Sequence, residues 1–249
     1  MPMYRTLNHN FFKTWTPAMA YTLGFIAADG TMIANNRGAP FIEFHITDKE
    51  ILTQIRSVVG SNHKIAIRKR DPKHKLGYRL QIGSKEWFAD LTVLGFVPNK
   101  SLTMKLPVIP PKLFGHFIRG YFDGDGCVHF KKYFAKDRGK MKWSFSSRFT
   151  SGSEAFLLSL HKALRQHGVQ KGFIYKKQRG NELVLSHKDS VALFSIMYDT
   201  LSYNDLYLAR KYRLFQKAIK TLYGGVAQPG GAIPCHGRGC GFKSRRSRP

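Results

Sequence analysis

The sequence predicts an α+β protein of two pseudo-symmetric halves, each running helix, strand, strand, helix, strand, strand, helix. Three observations carry that prediction. The segments Leu23-Gly24-Phe25-Ile26-Ala27-Ala28-Asp29-Gly30 and Arg119-Gly120-Tyr121-Phe122-Asp123-Gly124-Asp125-Gly126 are near-copies, the second starting 96 residues after the first. Each precedes a pair of segments with apolar and polar residues in alternation, the period of a strand with one covered face. The apolar spacing then turns helical, and the whole order occurs twice.

An N-terminal arm (1–15) leads into the first repeat (16–106). Thr16 suits the N-cap of the first motif helix, Pro17 its first position, and Gly30 a left-handed stop. Strands are expected at Thr31–Asn35 and Phe41–Thr47 around the turn Asn36-Arg37-Gly38. In the second strand Ile42, Phe44 and Ile46 alternate with Glu43, His45 and Thr47. Ile51, Leu52, Ile55, Val58 and Val59 mark a helix, for which Asp48 is the natural N-cap. Strands Lys64–Arg70 and Tyr78–Ile82 follow, then a short helix at Trp87–Leu94.

A Pro-rich linker (107–111) opens the second repeat (112–223), whose motif helix stops at Gly126 in the same way. Strands are expected at Val128–Phe134 and Lys142–Thr150, with Trp143, Phe145 and Phe149 on one face. A helix at Ala155–His167, strands Phe173–Gln178 and Glu182–Ser186, and helices Val191–Leu201 and Asp205–Leu222 complete it. Residues 224–249 are Gly- and Arg-rich without periodicity, and are expected to be a disordered basic tail. Gly241-Phe242-Lys243-Ser244 back-translates to a tRNA T-arm core and Val226–Gly230 to a D-arm. This suggests a reading frame running through a tRNA gene, which the nucleotide sequence decides.

Charge is the outlier in composition: 41 Lys+Arg stand against 15 Asp+Glu, for a formal +26. Nucleic acid is the usual partner of such a chain, because phosphates take up bases along an extended surface. The bases are spread through strand-like segments, which argues against a membrane surface. Met1 to Phe12 lacks a signal-peptide layout, no apolar run reaches the ~20 residues of a membrane span, and Cys127, Cys235 and Cys240 offer no pairing framework. An intracellular protein is expected.

Tyr21, Gly24 and Ala28 share one helix stripe, as do Phe117, Gly120 and Gly124, and small residues let two helix backbones approach closely. If the motif helices pack together, Asp29 and Asp125 emerge side by side in the last turns. The negative helix ends make that crowding costly. A hard divalent cation, Mg²⁺ above all, would offset it. Between carboxylates and a phosphodiester, such an ion activates water and stabilises the leaving oxygen.

These motifs, their spacing and the surrounding element order resemble the LAGLIDADG homing endonucleases in their monomeric two-repeat form, over about residues 15 to 222. The resemblance implies a saddle whose two antiparallel sheets lie in the DNA major groove, and metal-dependent staggered cuts with short 3′ overhangs. By position it implies Asp29 and Asp125 as catalytic metal ligands, joined by the adjacent backbone of Ala28 and Gly124. The earlier motif acid is Asp123 in repeat two but Ala27 in repeat one. Lys100 and Lys211 match the basic residue beside each centre, and Asp48 and Ser151 the polar, solvent-ordering position after the second strand.

DNA contacts are expected from outward-facing strand residues. In half one these are Asn35, Arg37, Glu43, His45, Lys64, Arg68, Arg70, Arg79 and Gln81. In half two they are His129, Lys131, Lys142, Ser144, Ser146, Arg148, Lys176, Gln178 and Arg179. The expected protein is a free-standing monomeric endonuclease on a long asymmetric double-stranded site. The rivals are an intron-RNA maturase on the same fold and a DNA-binding protein with an inactive centre.

Overall fold

The first helix, α1 (Pro17–Asp29), starts as its sequence dictates. The Thr16 hydroxyl accepts from the Met19 N–H at 3.1 Å, and Pro17 occupies the first turn. The computed structural model describes residues 5–34, 38–68, 75–178 and 180–224. After α1 come β1 (Gly30–Ala34), β2 (Pro40–Ile46), α2 (Lys49–Val58), β3 (Ile65–Arg68), β4 (Gly77–Gly83) and α3 (Lys85–Val93). The second half runs α4 (Phe114–Asp125), β5 (Gly126–Ala135), β6 (Lys140–Ser151), α5 (Glu154–Gln166), β7 (Phe173–Lys177), β8 (Gly180–Ser186), α6 (Lys188–Tyr198) and α7 (Ala209–Tyr223).

Four strands form an antiparallel sheet in each half, ordered β1-β2-β4-β3 and β5-β6-β8-β7. The alternation read in the sequence sets which face is covered. Met32, Ile42, Phe44, Leu80 and Ile82 are buried in the first half, and Val128, Phe145, Phe149, Leu183 and Leu185 in the second. Among the described residues the two outer ladders differ in length: β1 and β2 pair over five residues, β5 and β6 over ten.

The small-residue stripes meet as expected. A Cβ on Gly24 would run into the Phe117 carbonyl, and one on Gly120 into the Tyr21 carbonyl. The contact is reciprocal, so the two helix backbones touch directly through a pseudo-twofold crossing. Aromatic residues flank it: Tyr21, Phe25, Phe117, Tyr121 and Phe122 are fully buried.

The helix stops differ from expectation. Gly30 (φ −88°, ψ 145°) and Gly126 (φ −88°, ψ 157°) are extended rather than left-handed, each being the first residue of its strand. Glycine is needed for space: a Cβ on Gly30 would stand 2.5 Å from the Ile26 Cα, and one on Gly126 would meet the Phe122 ring. The chain thus turns from helix to strand without a connecting loop.

One further expectation is corrected. The last helix begins at Ala209, not near Asp205, because the preceding segment is held in a non-helical path by buried polar bonds: the Arg119 guanidinium donates to the Met197 and Leu206 carbonyls. The residues expected as an N-terminal arm pack onto the first half where they are described. The Asn8 N–H donates to the Val59 carbonyl, Trp87 Nε1 donates to the Asn8 carbonyl at 2.9 Å, and Phe11 and Phe12 enclose the Trp87 ring. The tail from 225 onward lies outside the described residues.

Gly24→Ala is expected to lower stability by about 1–3 kcal/mol, because no side-chain movement relieves a clash with the opposite backbone. Urea denaturation monitored by circular dichroism checks this.

Candidate active site and nucleic-acid interface

Because α1 and α4 cross at their glycines, their C-terminal turns end together. A Cβ on Gly124 would stand 3.3 Å from an Asp29 carboxylate oxygen and would collide with the Ala28 methyl. Asp29 and Asp125 are both half-buried. Burial first, and repulsion from Asp125 second, push the Asp29 carboxyl up to about 7; Lys211 and then Lys100 oppose the rise. Burial likewise raises Asp125, opposed most by Lys100 and then Lys211. Of the two lysines, each acid is opposed more by the one from the other half.

Both lysines are buried, and burial lowers each ammonium to about 8. Lys211 Nζ donates to the carbonyls of Phe122 (2.7 Å), Asp123 (2.8 Å), Gly124 (3.3 Å) and Gly126 (2.6 Å). It caps the end of α4, where unsatisfied carbonyls gather. Lys100 Nζ donates to the Gly30 carbonyl, just past the end of α1. The Gly124 carbonyl, expected near a metal, thus already accepts from Lys211.

The flanking polar positions are unequal. Asp48 stands at the N-cap of α2, but its carboxylate makes no cap bond. Instead Arg210 grips it: Nε donates to both oxygens at 3.0 and 3.1 Å, and a terminal nitrogen donates at 2.9 Å. The pair joins the two halves across 162 residues of sequence. Ser151 at the matching place accepts from the Ser153 N–H at 3.1 Å.

Asp123 accounts for the irregularity against Ala27. It is fully buried, and one of its oxygens accepts from Tyr21 Oη and from the Leu208 N–H, both at 2.8 Å. Leu208 is the N-cap residue of α7, which carries Lys211. Asp123 is therefore a brace that fixes where α7 starts. Only the second half has the long 199–208 connection to brace, and the first half has Ala27 at this place.

The strand register tests which residues share the outer faces. Thr31, Glu43 and Gln81 lie in one row across the first sheet, and His45, Arg79 and Ala66 in the next. Arg68 shares that face by alternation, and Lys64 precedes β3 in the same phase. In the second sheet His129 with Ser146, Lys131 with Ser144, and Cys127 with Arg148 line the outer face. Lys142 lies opposite Tyr133 on the same face.

Lys176 is corrected. It pairs with Asn181, in phase with Ile174 and Leu183 on the helix-covered side, and Lys177 takes the outward place. Gln178 lies past the end of β7. Asn35, Arg37, Arg70 and Arg179 lie outside the described residues.

Sequence reasoning missed what organises these faces. Glu43 stands between Arg68 and Arg79, each at 3.5 Å, and Glu182 between Lys177 (3.2 Å) and Arg148 (3.7 Å). It also missed the outward aromatic residues Tyr133, Phe173 and Tyr175. Strand alternation held the signal, since Phe173, Tyr175 and Lys177 are in phase.

Residues 16–91 match the family model described as a LAGLIDADG-like domain. With the second copy of the same element order, that match decides the architecture. The chain has the two-repeat LAGLIDADG fold. Solved structures agree at low identity. The homing endonuclease I-WcaI bound to its DNA recognition sequence is 16% identical, with a TM-score of 0.55, covering 82% of this chain and 90% of that one. The LAGLIDADG meganuclease I-AabMI bound to uncleaved DNA is 14% identical, with a TM-score of 0.56 and coverage of 83% and 90%. The meganuclease I-SmaMI bound to uncleaveable DNA is 14% identical, with a TM-score of 0.54 and coverage of 82% and 89%. No curated protein matches the chain.

Among the described residues no group of three or more His, Cys, Asp or Glu side chains is placed to hold a metal. The LAGLIDADG centre instead offers two hard carboxylates, crowded at two negative helix ends and raised in pKa, a donor set that suits a divalent cation.

Three outcomes follow. A carboxyl raised in the fold favours the folded state at low pH, and that contribution is lost between the unfolded value near 4 and about 7. Metal-free protein is therefore expected to melt lower at pH 8 than at pH 5.5 on this account, with Asp29→Asn cancelling ~2 kcal/mol of the loss. Mg²⁺ should raise the melting temperature at pH 8 for wild type and much less for Asp29→Asn, read by differential scanning fluorimetry. Asp123→Ala leaves Tyr21 and the start of α7 unpaired, and is expected to cost about 2–5 kcal/mol in chemical denaturation.

Proposed function

We propose that this protein is a site-specific homing endonuclease that makes metal-dependent, staggered double-strand cuts in a long asymmetric DNA target. The observation that carries the reading is the paired centre: Asp29 and Asp125 meet where α1 and α4 end, with the buried Lys100 and Lys211 at the same helix ends. Two related acids suit two strands related by a local twofold axis.

Asp29 and Asp125 would hold Mg²⁺, which supplies water activation and charge stabilisation at the scissile phosphates. Lys100 and Lys211 fix the helix ends through the Gly30 and α4 carbonyls, and so hold the carboxylates in place. Their buried positive charge also lies where negative charge builds during phosphodiester hydrolysis. The outer faces of the sheets supply the DNA contacts, from His45, Arg68, Arg79 and Gln81 in one half and His129, Lys131, Lys142, Ser144 and Arg148 in the other; Glu43 and Ser146 share these faces but are buried. Glu43 and Glu182 hold their flanking bases in fixed directions, which suits base reading better than general phosphate attraction.

The reading is supported by the resemblance in fold to proteins solved on DNA. A Mg²⁺-dependent digest of a partly randomised duplex library tests it. Wild type should yield staggered double-strand cuts; Asp29→Asn and Asp125→Asn should each lower cutting by at least ~100-fold while retaining binding. Normal cutting by either variant removes the metal assignment. Splicing of a host intron without any cutting favours the maturase reading instead.

A further inference from the structure

The two half-centres of the LAGLIDADG interface are built from corresponding positions but not from equal chemistry. One half-centre combines Asp29 and Asp48 from repeat one with Arg210 and Lys211 from repeat two. The other combines Asp125 and Ser151 from repeat two with Asn99 and Lys100 from repeat one. The crossing follows from contacts between the repeats: Arg210 grips Asp48 on one side, and on the other a Cβ on Gly152, next to Ser151, would stand 2.6 Å from the Ser101 carbonyl while Ser153 Oγ donates to the Met104 carbonyl. Arg210 immediately precedes Lys211, as Asn99 precedes Lys100. At one half-centre a guanidinium is therefore clamped by a carboxylate, and at the other only neutral Asn99 and Ser151 occupy those places.

The clamp has the features of a prepared phosphate contact. Two guanidinium nitrogens grip Asp48 from one side at 2.9–3.1 Å. The Arg210 side chain remains 56% exposed, whereas that of Asp48 is 23% exposed. A guanidinium carries five N–H donors, so donors remain for a second oxyanion after a carboxylate is bound. Thr47, Lys75 and Tyr78 line the same recess with Arg210, which adds a second exposed base and no second acid.

We propose that Arg210, oriented by Asp48, contacts the backbone phosphate beside the Asp29 half-centre, and that this makes hydrolysis of the two DNA strands unequal. This rests on the endonuclease reading for its kinetic consequence, but not for the phosphate contact itself. Arg210 donates to a phosphate oxygen while Asp48 holds the plane of the guanidinium. The opposite strand has only Lys100 and the neutral pair, so it is cut second. The nicked duplex is the intermediate.

The test follows each strand separately, using the duplex recovered from the library digest with a different label on each strand. Wild type should show a nicked intermediate. Arg210→Ala should slow the strand facing Asp29 by about tenfold or more, with the other strand changed less than about twofold. Arg210→Lys should recover part of the rate, since it restores charge without the planar fork. Asp48→Ala removes the same inter-repeat bond but leaves the cation, so its effect on that strand should be smaller. Equal slowing of both strands, or equal effects of Asp48→Ala and Arg210→Ala, would show that the pair only joins the repeats, and would overturn the proposal. A second arm needs no cutting: on a mixed-sequence duplex, Arg210→Ala should reduce the slope of log K against log salt by about one, and Asp48→Ala should not. An unchanged slope overturns the contact. Absence of any cleavage by wild type, with the slope change present, defeats the endonuclease reading and leaves the contact standing.

Discussion

The backbones of α1 and α4 meet at Gly24 and Gly120, where a single methyl group on either side would strike a carbonyl of the other helix. That approach fixes the distance between the two halves, and with it everything at the helix ends. Because each helix passes into its first strand through an extended glycine, the crossing also sets where each sheet begins. A crossing wider by the thickness of a methyl group would separate the carboxylates and loosen the aromatic packing around Tyr21, Phe25, Phe117 and Phe122.

Close packing brings an electrostatic problem. Two acids are forced together at helix ends whose carbonyls already carry negative charge. The protein answers with buried lysines spent on backbone carbonyls rather than on carboxylates: Lys211 spans four at the end of α4, and Lys100 takes the Gly30 carbonyl. The carboxylates remain in part uncompensated, as the rise of Asp29 to about 7 records. A centre stabilised fully by its own lysines would have little reason to bind a cation.

The architecture was readable in the sequence because it depends on local patterns. The duplicated motif, the Gly/Ala stripe and the alternation at Ile42, Phe44 and Ile46 each report a face directly. Lys100 and Lys211 were visible as basic residues beside their centres, but their use of backbone carbonyls depends on where a helix ends in space. Asp48 is the clearest failure of local reasoning. Its position is that of an N-cap, yet a guanidinium 162 residues away competes for it and wins with charge-assisted bonds. The φ of Gly30 was misjudged for a related reason: glycine there answers a steric demand from Ile26, not a demand for a left-handed turn. Lys176 and Lys177 differ by one residue, and a one-residue shift exchanges the faces of a strand.

The unequal outer ladders bear on how much each half can read. Ten paired residues in β5 and β6 extend roughly 34 Å at strand spacing, close to one full turn of B-DNA, while the five pairs of β1 and β2 extend about 17 Å, half a turn. On the proposed reading, the two arms of the recognition sequence then differ in length as well as in letters. On that reading the long β5–β6 ribbon reaches further from the centre along its arm of the duplex than the described part of β1 and β2 does along the other.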